Sequence, residues 1–175
     1  MQIELSPDDA SALMALLPAE ATALNSGFSY DGGALFVPPG REAAVAAIVA
    51  APGWQDSAAK AALVAYAADR RWRLEVGGIL VGSVPVATDD RSKLMITGAR
   101  VAAMADPGWS TVWHGADGAT YPVDAAAMVA ISDAVQAHVN AGFATFAAIK
   151  AAIEAGTIST MAEIDAAFAA GSAPG

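Results

Sequence analysis

The chain has 175 residues, a net charge of −9, and 55% hydrophobic residues against 15% charged ones. That length suits one compact domain, or a core domain with a small appended lobe, and the low charged fraction excludes an ordinary disordered, highly charged chain. The acidity excludes general nucleic-acid binding, which needs cations to displace phosphate counterions, and docking on an anionic membrane.

In chain order, Ile3 to Leu5 reads as a short strand. Ser6-Pro7-Asp8-Asp9 is a helix start: a capping serine, proline at the first helical position, and acids facing the positive dipole end. Leu13, Leu16 and Leu17 give this helix an apolar face, and Pro18 limits its length. Phe28-Ser29-Tyr30 and Leu35-Phe36-Val37 flank Asp31-Gly32-Gly33, a β-hairpin whose glycines supply positive φ. Pro38-Pro39-Gly40 ends it, and an Ala/Val/Ile helix follows from about Arg41 to Ala50. Pro52-Gly53 is the expected boundary of an N-terminal lobe, 1–53.

The expected second domain is 54–169. Asp56-Ser57 opens a helix to about Arg73, and Leu74 to Ala87 reads as a glycine-punctuated β segment with Pro85 at an edge. Thr88-Asp89-Asp90 starts the next helix, with Thr88 expected to accept a backbone N–H, and Asp106-Pro107-Gly108 stops it near Ala105. Thr111 to His114 and Ala119 to Val123 form a second hairpin around Gly115-Ala116-Asp117-Gly118. Asp124 caps a long helix to about Ala155. Met128, Ile131, Val135, Val139, Phe146, Ile149 and Ile153 recur in it at helical steps, and Gly142-Phe143 is a candidate kink. Thr160-Met161-Ala162-Glu163 is a capping box for a last helix through Phe168, and 170–175 reads as a flexible tail. The 46 alanines, the best helix formers, point to helix content more than to a large core. The fold class expected is α+β: a small hairpin-and-helix lobe, then glycine-centred hairpins packed on a long alanine-rich helix.

Signatures of chemistry are sparse. There is no cysteine, which removes disulfides, thiolate metal sites and thiol catalysis. The two histidines, His114 and His138, are not at metal-ligand spacing, no Gly-x-Ser-x-Gly elbow exists, and Gly77-Gly78…Gly82 lacks the Gly-Lys ending of a phosphate loop. No catalytic residue, cofactor or metal is therefore assigned, and an enzyme is not expected. No targeting segment or spanning helix is expected either. Candidate interface residues are Trp54, Trp72, Trp109 and Trp113, each either an anchor in a partner or bulk among small alanines. Arg70, Arg71 and Arg73 form the one basic cluster. It suits contact with an acidic partner, or neutralisation of Asp69 and Glu75 at a helix C-terminus.

Four blocks of residues carry a family likeness. The first is Glu75-Val76-Gly77-Gly78-Ile79, then Gly82, then Val86 to Ser92. The second is Val112-Trp113 with Asp117-Gly118. The third is Val123-Asp124-Ala125-Ala126 with Ile131, Val135, His138-Val139 and Phe143-Ala144. The last is Thr160 to Ile164. In their order and spacing, over about 57–168, they resemble an uncharacterised domain of tailed-bacteriophage and prophage tail-region proteins, found beside or within tail-fibre and fibre-assembly proteins. His114 departs from the basic residue common after the tryptophan, and Phe143 from the small or thiol residues common there. The resemblance implies a structural protein of the tail tip, baseplate or fibre attachment, located in the virion tail and, during assembly, in the host cytoplasm. Its implied partners are other tail or fibre proteins or further copies of itself, and not nucleic acid or membrane. The alternative is a fibre-assembly chaperone absent from the mature particle. The first 50 residues lie outside the resemblance.

Overall fold

A computed structural model of the chain describes residues 1–17 and 27–171. The helix stop expected at Pro18, and 172–175 of the expected tail, lie outside them. The architecture is α+β, with six helices and seven short strands among the described residues. By internal contacts the chain falls into two units, Met1–Tyr66 with Ile153–Ser159 and Ala67–Ala152 with Thr160–Gly175.

In the first unit, β1 (Gln2–Glu4) leads to α1 (Pro7–Leu16), β2 (Ser29–Asp31), β3 (Ala34–Phe36) and α2 (Glu42–Val49). Ser6 caps α1 as its sequence demands, its Oγ accepting from Asp9 N–H at 3.1 Å. The β2–β3 turn uses Gly32 and Gly33 at φ 57° and 95°, the left-handed pair that matches strand twist. β1 adds to the other side of β3, giving an antiparallel sheet of order β1-β3-β2, with Leu35 opposite both Ile3 and Tyr30. Leu13, Leu17, Leu35, Val37, Val45 and Trp54 close one core.

Trp54 also begins α3 (Trp54–Val76), two residues before the expected start. This helix does not stop at Arg73. Leu74, Glu75 and Val76 complete it, and the expected β segment shrinks to β4 (Ile79–Val81) and β5 (Val84–Val86). Two interactions favour the extra turn. Arg71 and Glu75 form an ion pair one helical turn apart. Beyond it, Gly77 N–H donates to Leu74 O at 3.2 Å and Gly78, at φ 82°, turns the chain out of the helix.

Thr88 clamps that helix end. Fully buried, it donates to Glu75 O at 2.6 Å and accepts from Gly78 N–H at 2.9 Å. The expectation that Thr88 caps the following helix is thereby corrected. Asp89 caps α4 (Asp90–Ala105), accepting from Ser92 N–H at 3.0 Å. The physical reason is that the end of α3 leaves backbone groups without intrahelical partners, and a buried hydroxyl both donates and accepts.

β6 (Ser110–His114) and β7 (Thr120–Asp124) form the second expected hairpin, with Val112 opposite Pro122 and Trp113 opposite Tyr121. Its loop is closed by Gly115 N–H on Ala119 O, 2.9 Å, with Gly118 at φ 80°. Asp124 then accepts from Ala127 N–H at 2.8 Å and opens α5 (Ala125–Glu154). Met128, Ile131 and Val135 of α5 join Val86, Ile96, Ala103 and Val123 in the core of this unit. At the expected kink α5 continues. Gly142 is buried beside Leu74 and Arg71, whose side chains lie 3.7 and 3.8 Å from where a Cβ would stand, an ordinary contact distance. α6 (Met161–Gly171) has the capping box read from its sequence, with Glu163 N–H on Thr160 Oγ1 and Thr160 N–H on Glu163 Oε2. It runs three residues past Phe168, through two helix-favouring alanines. Among the described residues no helix is long and apolar enough to cross a membrane.

Candidate functional site

The site grows from α4, a helix that is apolar on more than one side. Ile96 and Ala103 face the core. Arg91, Leu94, Gly98, Val101 and Ala105 recur at alternating steps of three and four, all exposed, with Leu94 at 73%. That is the spacing of a helix-packing seam, lying on the outer face. Met95 and Met104 flank it, also exposed.

β6 supplies the second wall. The Gly115–Ala119 bond sets the alternation of the ladder, so Thr111 and Trp113 exchange hydrogen bonds with β7. The N–H and C=O groups of Ser110, Val112 and His114 point the other way, along an edge that pairs with no strand among the described residues. Val112 stands 63% exposed beside it. Between α4 and β6 lies a groove of about 910 Å³, lined by Leu94, Met95, Gly98, Trp109, Val112 and Trp113, with Arg91 and His114 adding polar atoms.

The expected interface residues divide. Trp109 and Trp113 reach this groove, half-buried and packed on the core of the second unit. Trp54 is only 7% exposed and fills the core of the first unit, so it supplies bulk and no anchor. Trp72 is exposed on α3 and is not among the groove's residues. The arginines are engaged within the chain: Arg70 with Asp165 at 2.6 Å, Arg73 with Asp69 at 2.7 Å, and Arg71 with Glu75 while stacking on Phe143 at 4.2 Å. They form no basic patch around the groove.

Glu75 is the electrostatic hub. Lys93 Nζ lies 2.6 Å from its Oε1 and also 2.9 Å from Asp90. The hydrogen bond from Lys93 holds the Glu75 carboxyl below the usual glutamate range, aided by the charges of Lys93 and Arg71, and the same bond raises Lys93. In the second hairpin Asp117 accepts from Tyr121 Oη at 2.7 Å, which lowers the aspartate and raises the phenol. These contacts tie helix ends and turns, and none activates a nucleophile. His138 hydrogen-bonds Leu74 O at 2.9 Å, and His114 lies in β6. No group of three His, Asp or Glu side chains is placed to hold a metal among the described residues.

A family described as "Domain of unknown function (DUF4376)" matches residues 58–170. The chain belongs to the DUF4376 family. No curated protein and no solved structure matches it. The DUF4376 span takes in α4, β6, the groove between them and the Glu75–Thr88 clamp, and it overlaps the stretch that carries the resemblance described above. The sequence motifs mark only the start and the stop of α4. The outer seam of Leu94, Gly98 and Val101 is visible only once both faces of the helix are compared.

Proposed function

We propose that this DUF4376 protein is a structural component of a bacteriophage tail, at the tail tip, baseplate or fibre attachment, and that it works by protein–protein docking. The observation that carries this reading is the apolar surface of the second unit, where Leu94, Met95, Val101, Met104 and Val112 are exposed beside a tryptophan-lined groove. Scattered exposed apolar residues are ordinary, but a cluster beside an open strand edge marks an interaction surface. The order of motifs from Glu75 to Ile164, similar to that of phage tail-region proteins, supplies the biological setting. The acidic charge keeps such a surface soluble before assembly.

Quantitative mass spectrometry of density-purified particles tests this. The expected result is a whole-number copy ratio to the tail-tube protein that resists salt washing. Abundance in lysate with none in the particle overturns it and favours an assembly chaperone.

A further inference from the structure

The six methionines of the chain differ sharply in burial. We infer that two of them, Met95 and Met104, are modification sites, oxidised reversibly to sulfoxides that switch the outer face of α4 from apolar to polar. The site of reaction follows from exposure and position. Its consequence, control over docking, rests on the docking function proposed above.

Met95 and Met104 flank the seam of Leu94, Gly98 and Val101 and are 57% and 67% exposed. Met95 also lines the groove, together with Trp109 and Trp113. Met128 is fully buried in the core of the same unit, and Met14 is half-buried against the core of the first. Met1 and Met161 are exposed but are not among the groove's residues. A dissolved oxidant reaches a thioether in water and is kept from one inside a packed core.

The same helix separates surface from fold. Ile96 and Ala103, each the chain neighbour of one of these methionines, carry the core contacts of α4. Its start is held by Asp89 on Ser92 N–H and by Lys93 on Glu75, and neither contact uses a sulfur. Oxidation of Met95 and Met104 therefore leaves the buried face of α4 as it is.

The oxidant is a hydroperoxide. The sulfur lone pair attacks the terminal peroxide oxygen, the O–O bond breaks and an S–O bond forms. Sulfur is oxidised by two electrons. The departing oxygen is reduced by two, takes up the proton of the transferred hydroxyl and leaves as an alcohol, or as water from hydrogen peroxide. The sulfoxide is a polar acceptor where the thioether was apolar, so covering this face without a donor becomes unfavourable. Methionine sulfoxide reductases reverse the step.

The test treats the full chain with hydrogen peroxide. Peptide mapping by mass spectrometry, thermal melting and the fluorescence of anilinonaphthalene sulfonate, a dye for exposed apolar surface, are then followed. Met95 and Met104 should oxidise about tenfold faster than Met128, with the melting temperature unchanged. Dye fluorescence should fall about threefold and return after treatment with the reductases. A double variant, Met95→Leu with Met104→Leu, conserves volume and should bind dye before and after peroxide, which excludes Met1 and Met161 as the cause. Oxidation of Met128 at the same rate overturns the inference, as does oxidation that lowers the melting temperature. So does an untreated chain that binds no dye, or a double variant that loses its dye as wild type does. None of these readouts involves a phage particle, so this inference and the docking function can fail separately.

Discussion

The hairpins of the two units are built alike and finished differently. β2–β3 and β6–β7 each turn through positive-φ glycine, and each leads into a helix. In the first unit, β1 pairs the far side of β3, so the inner strand has both edges satisfied. Leu5 N–H donates to Gly33 O and Val37 N–H to Met1 O at either end of that ladder. In the second unit no third strand pairs with the hairpin among the described residues: β5 reaches only its loop, where Ala116 N–H donates to Pro85 O at 2.9 Å, so Ser110 to His114 keep an open edge beside a groove, while proline blunts β7. Thus the same local grammar yields a hairpin strand covered on both edges in one place and one left with an open edge in the other. Whether an edge is covered depends on a strand remote in sequence, and no turn signal reports it.

The largest effects should separate the two cores. Leu13→Ala, at a fully buried position of the first unit, should cost about 3 kcal/mol. Met128→Ala should cost a similar amount in the second. Hydrogen exchange should show each loss concentrated in its own unit, and equal losses in both would dissolve the comparison.

Proline scanning sharpens it next. The ladder bonds at Leu5 and Val37 place the Ile3 N–H on Leu35, so Ile3→Pro removes a sheet bond and should cost about 2 kcal/mol by thermal melting. Val112→Pro, whose lost N–H faces outward, should cost less than about 1 kcal/mol. Equal costs would mean that β6 is paired on both sides.

Within the second unit, Thr88→Val strands the Gly78 N–H and should cost about 2 kcal/mol, against about 1 kcal/mol for Asp89→Ala, which loses an exposed cap. Chemical denaturation of the two variants checks the order, which reverses if Thr88 is the helix cap.

The smallest effect is in pH. The carboxyl of Glu75 titrates below its unfolded value in the folded chain, so its stabilisation is full above the unfolded pKa, about 4.3, and disappears as pH falls through the lower folded value. Glu75→Gln should therefore flatten the acid limb of the second unit's stability curve. An unchanged limb would show that the carboxylate is not held by Lys93 and Arg71.

Local chemistry made much of the fold legible. Ser6, Asp124 and the Thr160–Glu163 box set helix starts through bonds within four residues, and Gly32-Gly33 and Gly118 set turns through φ alone. The helical stripe from Met128 to Ile153 placed α5, because burial of one face repeats with the helical period. Less of the candidate site was legible. The four tryptophans look alike in sequence, yet Trp54 is core, Trp72 is exposed and only Trp109 and Trp113 reach the groove. The arginine cluster looks like a basic patch until Asp165, from a distant helix, pairs with Arg70. The true partners of Thr88, at the end of α3, were likewise ten or more residues away.

What the sequence by itself determined is what backbone geometry and near neighbours decide: caps, turns, helix periods and the α+β class. Tertiary structure alone decided which apolar faces were covered. Leu94 and Ile96 have similar side chains two residues apart on one helix, and only the packing of α5 and β7 buries one and leaves the other in water.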